Sequence, residues 1–131
     1  MPTEEPDRAD VELRLPADRA YVSVVRTTAA ALAARLDFTM DDIEDLRIAV
    51  GEACAMTLAE APHGSDMHCR FHLGDAGITV SVTVPTGSSA TPDYDSFAWQ
   101  VLNTLASRAE ANADEGRFTI AMTVHSELAA S

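Results

Sequence analysis

The sequence predicts an α/β domain: a two-layer sandwich with three main helices on one face of a four-stranded sheet, mixed or antiparallel. Three stretches repeat apolar residues at helical spacing, and four others alternate apolar with polar residues. Each strand so marked has a single apolar face, which only a covering layer of helices can bury. At 131 residues and 47% apolar, the chain has the size and composition of one globular domain. An acidic, proline-containing stretch over residues 1–10 reads as a disordered tail, with a single domain over 11–131.

Val11, Leu13 and Leu15 alternate with Glu12 and Arg14, a strand that Pro16 ends. Asp18 is placed to cap the next helix, along which Tyr21, Val24, Val25, Thr28, Leu32 and Leu36 recur among alanines until Asp37-Phe38. Thr39-Met-Asp-Asp42 reads as a capping box, a hydroxyl and a carboxylate answering the free N–H groups of a helix start. Asp41, Asp42, Glu44 and Asp45 crowd that first turn, where the helix dipole favours negative charge. Ile43, Leu46, Val50, Ala53 and Thr57 mark its buried stripe, and Pro62-His-Gly64 stops it. Strands over His68–Leu73 and Ile78–Val84 then form a hairpin across Gly74-Asp-Ala-Gly77, with Thr79, Ser81 and Thr83 on its wet face. A loop runs from Pro85 to Pro92. The third helix starts near Asp95 and is expected to bury Phe97, Val101, Leu102 and Leu105. After a polar bend around Asn112 to Gly116, Phe118, Ile120, Met122 and Val124 alternate in the last strand.

Charge narrows the function classes. The net charge is −12, and all nine basic residues are arginine. So acidic a surface repels phosphate backbones, which argues against direct nucleic-acid binding and favours a basic protein partner or plain solubility. No apolar run approaches the roughly 20 residues that span a bilayer. The first ten residues lack the pattern of a signal peptide, so the expected location is cytoplasmic. Cys54 and Cys69 have no metal-ligand spacing and read as buried reduced thiols. His68, Arg70 and His72 share one strand face; two such histidines could ligate a metal, but no third ligand accompanies them and no metal site is expected.

On the second helix, Glu44, Ile48, Glu52 and Met56 recur every four residues and so form one row. The run Tyr-Val-Ser-Val-Val-Arg-Thr over 21–27, with Ile-Glu-Asp-Leu-Arg-Ile-Ala-Val-Gly-Glu-Ala-Cys over 43–54, resembles the RsbW/SpoIIAB anti-sigma factors. These are serine-protein kinases of the GHKL (histidine-kinase-like) ATPase superfamily, whose Bergerat fold the expected sandwich matches. The resemblance covers Val11 to His125 and implies an ATP and Mg²⁺ site. In that family the long helix carries Glu-x-x-x-Asn: the glutamate helps activate the attacking hydroxyl, and the asparagine oxygen ligates Mg²⁺. Here Glu52 is followed one turn later by Met56, and a thioether is a soft, poor ligand for Mg²⁺. The family's Asp-x-Gly, which reads adenine, is answered by Val84-Pro85-Thr-Gly87, with only the glycine kept. The glycine-rich lid is answered by Ser96-Phe-Ala98-Trp, with Ser96 and Ala98 at glycine positions.

Glu52, Met56, Gly87, Ser96 and Ala98 are therefore expected to be vestigial nucleotide-site positions. Glu52 reads either as a structural carboxylate or, if kinase activity survives, as the catalytic base. Met56 reads as packing in the vacated pocket. Trp99 either fills the same space or anchors a partner. Arg26 matches a first-helix arginine with which the family contacts both the sigma factor and its antagonist; the plainer reading is a surface arginine paired with a local acid. The resemblance implies a homodimeric anti-sigma factor that sequesters a sigma factor until an anti-anti-sigma (STAS-domain) protein competes for it. The lost boxes look similar to those of degenerate anti-sigma factors of high-GC Gram-positive bacteria, which implies release without phosphorylation. The alternatives are an active serine-protein kinase using ATP and Mg²⁺, and a sensor of the same fold binding another small molecule.

Overall fold

The computed structural model describes residues 8–75, 77–86 and 92–126. Strand β1 (Val11–Pro16) leads through a 3₁₀ turn (Arg19–Tyr21) into α1 (Val22–Arg35) and then α2 (Met40–Leu58). Strands β2 (Asp66–Leu73) and β3 (Gly77–Pro85) follow, then α3 (Phe97–Leu105), β4 (Arg108–Asp114) and β5 (Arg117–His125). The helices cover one face of a five-stranded sheet of order β1-β2-β3-β5-β4, every adjacent pair antiparallel. The two-layer architecture is the expected one, with one strand more.

That additional strand is β4. Arg-Ala-Glu-Ala-Asn-Ala-Asp holds no β-branched or aromatic residue, so nothing in its composition signals a strand. It is templated by β5 and closed by a two-residue turn in which Glu115 and Gly116 both take positive φ (54° and 75°), as a type I′ hairpin requires. The tail expected over 1–10 falls largely outside the described residues. Its last residue is tied down: the Asp10 N–H donates to the Phe71 carbonyl (2.8 Å) and its carboxylate accepts the Leu73 N–H (2.8 Å).

Local chemistry sets the helix ends. The Asp18 carboxylate accepts the Ala20 N–H (2.9 Å), so it caps the 3₁₀ turn rather than α1 itself. Asp37, at φ 62°, takes the left-handed conformation that terminates α1. The Thr39 hydroxyl accepts the Asp42 N–H (3.0 Å) and starts α2. In α1 the fully buried column is Val25, Ala29 and Ala33, whereas Tyr21 and Val24, expected on the buried stripe, are 38% and 40% exposed. Small side chains let α1 approach α2 closely, and the bulkier residues flank the contact.

Helix α2 lies between α1 and α3 and rests on β3 and β5. Its Leu46, Ala49, Val50, Ala53 and Cys54 are fully buried against sheet residues that include Phe71, Val80, Val82, Ile120 and Met122. Phe97, expected in the core, is instead 77% exposed. It opens α3, and the buried stripe of that helix runs through Trp99, Leu102 and Leu105, spaced by three. The opposite face of the sheet is uncovered and polar. There His68 meets Glu12 (2.8 Å), Arg14 meets Asp66 (3.2 Å), and the hydroxyls of Thr79 with Thr123 and of Thr83 with Thr119 pair at 2.9 and 2.8 Å. No helix among the described residues is long and apolar enough to cross a membrane.

Two substitutions test this packing by denaturant unfolding. Leu46→Ala removes a fully buried side chain at the centre of α2 and is expected to cost about 2–5 kcal/mol. Gly77→Ala puts a Cβ 2.7 Å from the Val124 carbonyl oxygen and 2.5 Å from the His125 ring, and is expected to cost about 1–3 kcal/mol of overpacking.

Candidate functional site

The row on α2 grades from solvent into the protein. Glu44 and Ile48 are exposed, Glu52 is half-buried, and Met56 is half-buried against the core. The neighbouring fully buried residues Ala49 and Ala53 fix the rotation of the helix, so the row runs along the border of the core. Among the described residues Glu52 has no hydrogen-bond or ion-pair partner. The arginine pairing that a structural carboxylate would use is therefore not made here.

Helix α3 packs on α2 and carries the next group of residues. Ser96 is extended (φ −70°, ψ 154°), a conformation open to any residue, and spends its hydroxyl locally. The hydroxyl accepts the Trp99 N–H (3.1 Å) and donates to the Asp93 carbonyl (2.9 Å), so Ser96 is the N-cap of α3. Ala98 is half-buried in the first turn. Trp99 is half-buried against the core, and Tyr94 meets its ring edge-on, centroids 5.1 Å apart at 73°. With Tyr94 53% exposed and Phe97 more so, an aromatic cluster shows at the start of α3. Sequence reasoning missed Tyr94, whose spacing of five from Trp99 belongs to no helical or strand pattern. Val84 points into the core and Pro85 outward at the end of β3; Gly87 lies outside the described residues.

Arg26 sits on the other flank of α2. It is half-buried and lies across Gly51: a Cβ there would stand 3.4 Å from the Arg26 Nη1 and 3.6 Å from its Cδ. No acid pairs with Arg26 among the described residues. A glycine inside a long helix costs stability, and that cost was the available sign of a close approach. Arg26 also acts on Cys54. Burial pushes the Cys54 thiol up from 9.0 to about 12, with the neighbouring Cys69 adding to the rise and the Arg26 charge opposing it. Burial likewise pushes Cys69 to about 12. Both cysteines are free thiols in the core. The described residues hold no group of three or more His, Cys, Asp or Glu that could bind a metal.

A family model described as a histidine kinase-like ATPase domain matches residues 15–124. The serine-protein kinase RsbW of Halalkalibacterium halodurans is 42% identical over 74 residues, which are 56% of this chain and 46% of that protein. The serine-protein kinase RsbW of Bacillus velezensis is 47% identical over 51 residues, 39% of this chain and 32% of that protein. These matches span less than half the length of the curated relatives. Among solved structures, the RsbU and RsbW domains of Rv1364c from Mycobacterium tuberculosis superpose with a TM-score of 0.65 at 18% identity, over 88% of this chain and 31% of that one. That likeness is one of fold.

The thiols give a pH test with a definite sign. Their folded values lie above the unfolded value of 9.0, so unfolding lets them ionise first. Stability from this source is complete below pH 9.0 and is expected to decline as pH rises toward about 12. At pH 8 a thiol reagent is expected to leave the native chain unmodified and to label both cysteines after unfolding. Gly51→Ala, whose Cβ makes ordinary contact with Arg26, is expected to raise stability by about 0.5–1 kcal/mol in thermal or denaturant unfolding.

Proposed function

The chain belongs to the histidine kinase-like ATPase domain family, and we propose that within it the chain is an anti-sigma factor acting by binding rather than by phosphoryl transfer. The observation that carries the reading is the packing of Met56. One turn after Glu52, where a Mg²⁺–ATP site of this kind needs a hard oxygen, the helix presents a sulfur seated against the core. Ser96 strengthens the reading, because its hydroxyl is consumed in capping α3 and its backbone carries a side chain where a lid would use bare glycine. The residues present do not fit Mg²⁺ and ATP, so no phosphotransfer step is derived through them.

The same layer suits a protein partner. From Asp37 to Asp45 the chain sets the solvent-facing Asp37, Asp41, Glu44 and Asp45 against no basic residue. That acidic stretch would meet a basic surface of a sigma factor, with electrostatic attraction speeding the encounter. Arg26, held half-buried over Gly51, would supply an arginine anchor, and Trp99 with its exposed neighbours Tyr94 and Phe97 an aromatic one. An anti-anti-sigma protein with a STAS domain would release the sigma factor by competing for an overlapping surface. The setting is cytoplasmic, the assembly a homodimer, and the domain extends over residues 11–131 behind an acidic tail.

A second reading, an active serine-protein kinase, has in its favour the name of the relatives and the half-buried carboxylate of Glu52, which has no partner among the described residues. Titration against a sigma factor co-expressed with this chain separates the two. Arg26→Ala is expected to weaken the complex at least about tenfold, the loss typical of an arginine anchor, while Glu52→Ala leaves it unchanged. Failure to bind any sigma factor or anti-anti-sigma protein of the same cell would overturn the proposal. So would partner release that requires ATP and is lost in Glu52→Ala.

A further inference from the structure

On the uncovered face of the sheet, Arg70, Ser81, Thr83, Thr119, Arg117 and Asp114 line a cavity of about 300 Å³. Ser81 and Thr83 alternate with the buried Val80, Val82 and Val84, so the cavity lies on the far side of the sheet from α2. The strand pairings assemble it: Arg70 is opposite Ser81, Thr83 opposite Thr119, and Asp114 opposite Arg117. Opposite charges directly across a strand pair attract. Yet Arg117 and Asp114 form no ion pair, and neither has a side-chain partner among the described residues. Elsewhere on this face, acids and bases that are not directly opposed do meet: Arg14 with Asp66 at 3.2 Å, His68 with Glu12 at 2.8 Å, and Arg108 with Glu110 at 3.0 Å. The floor offers donors as well. Thr83 and Thr119 pair at 2.8 Å, and since one hydroxyl donates to the other, one O–H of the pair is left over. The Ser81 hydroxyl has no partner among the described residues.

We propose that this cavity binds a small zwitterion of the α-amino acid class, whose two charges complete the ion pair that Arg117 and Asp114 leave open. The carboxylate takes the Arg117 guanidinium, whose planar fork matches it, together with the floor hydroxyls. Arg70 stands on the opposite wall as a second guanidinium. The ammonium lies against Asp114, with Glu115 on the same rim. A lone anion is repelled by the two acids and a lone cation by the two arginines, so a ligand gains on both sides only by carrying both charges. The space equals the liquid volume of about ten waters, which leaves room for a side chain beyond the two charged groups. The site uses no residue of the helical layer, so it stands whichever partner that layer binds.

NMR titration of the isotope-labelled full chain with the proteinogenic amino acids, one at a time at millimolar concentration, tests the site. At least one is expected to shift the amides of Ser81, Thr83, Thr119 and Arg117. Acetate and methylamine, which carry one charge each, are expected to leave them in place at the same concentration. Arg117→Gln and Asp114→Asn are each expected to weaken binding about tenfold, as loss of a charge-assisted hydrogen bond does. Should either variant unfold, Ser81→Ala removes only a hydroxyl and is expected to weaken binding by a smaller factor. The proposal is overturned if no amino acid shifts these amides, if acetate shifts them as strongly, or if the affinity is unmoved by the substitutions.

Discussion

The structure depends on the burial of α2. Leu46, Ala49, Val50, Ala53 and Cys54 are wholly removed from solvent beneath α1, beside α3 and over β3 and β5. Close-packed interiors tolerate little change in volume, so these residues fix both the depth and the rotation of the helix. Everything of functional interest follows from that placement. The row Glu44, Ile48, Glu52 and Met56 is carried along the core's border, one side chain after another. Arg26 of α1 lies across α2 at residue 51. The Ser96 cap sets where α3 begins, and so which of its aromatic residues reach the core and which show at the surface.

The parts legible in the sequence were those whose signal comes from side chains buried on one face. The alternation of Ile78, Val80, Val82 and Val84, and of Phe118, Ile120, Met122 and Val124, marks strands whose inner residues are all buried. The Thr39 cap and the stripe from Ile43 to Thr57 likewise stand as read, with Ile43 only partly buried. What escaped was decided by partners. Strand β4 is a strand because β5 is beside it, and its alanines carry no propensity of their own to declare it. In α1 the eye is drawn to Tyr21 and Val24, yet close helix contact favours Ala29 and Ala33. Phe97 looks like core by composition, but the Ser96 cap makes it the first helical residue and turns it outward. At the candidate site, the residue types at 52, 56, 96 and 98 were legible. The contact of Arg26 with Gly51 and the ring of Tyr94 against Trp99 needed the fold.

The charge distribution separates the two faces of the molecule. On the uncovered sheet face Arg14, Arg70, Arg108 and Arg117 are offset by Glu12, Asp66, Glu110 and Asp114, several of them in direct ion pairs. The helical layer from Asp18 to Asp95 sets ten acids (Asp18, Asp37, Asp41, Asp42, Glu44, Asp45, Glu52, Glu60, Asp93 and Asp95) against Arg19, Arg26, Arg35 and Arg47, and so carries half of the chain's net charge of −12. Exposed pairs of this kind contribute little to stability. The sheet face is electrically balanced, and the helical layer carries net negative charge.

On the proposed reading the α2 frame is kept for its shape while its nucleotide chemistry has gone, and calorimetric titration of the full chain with Mg²⁺ and ATP tests this. No measurable heat of binding is expected, with the complex to a sigma factor intact in the absence of nucleotide. Micromolar binding of ATP that depends on Mg²⁺, together with phosphotransfer to an anti-anti-sigma protein abolished by Glu52→Ala, would contradict it.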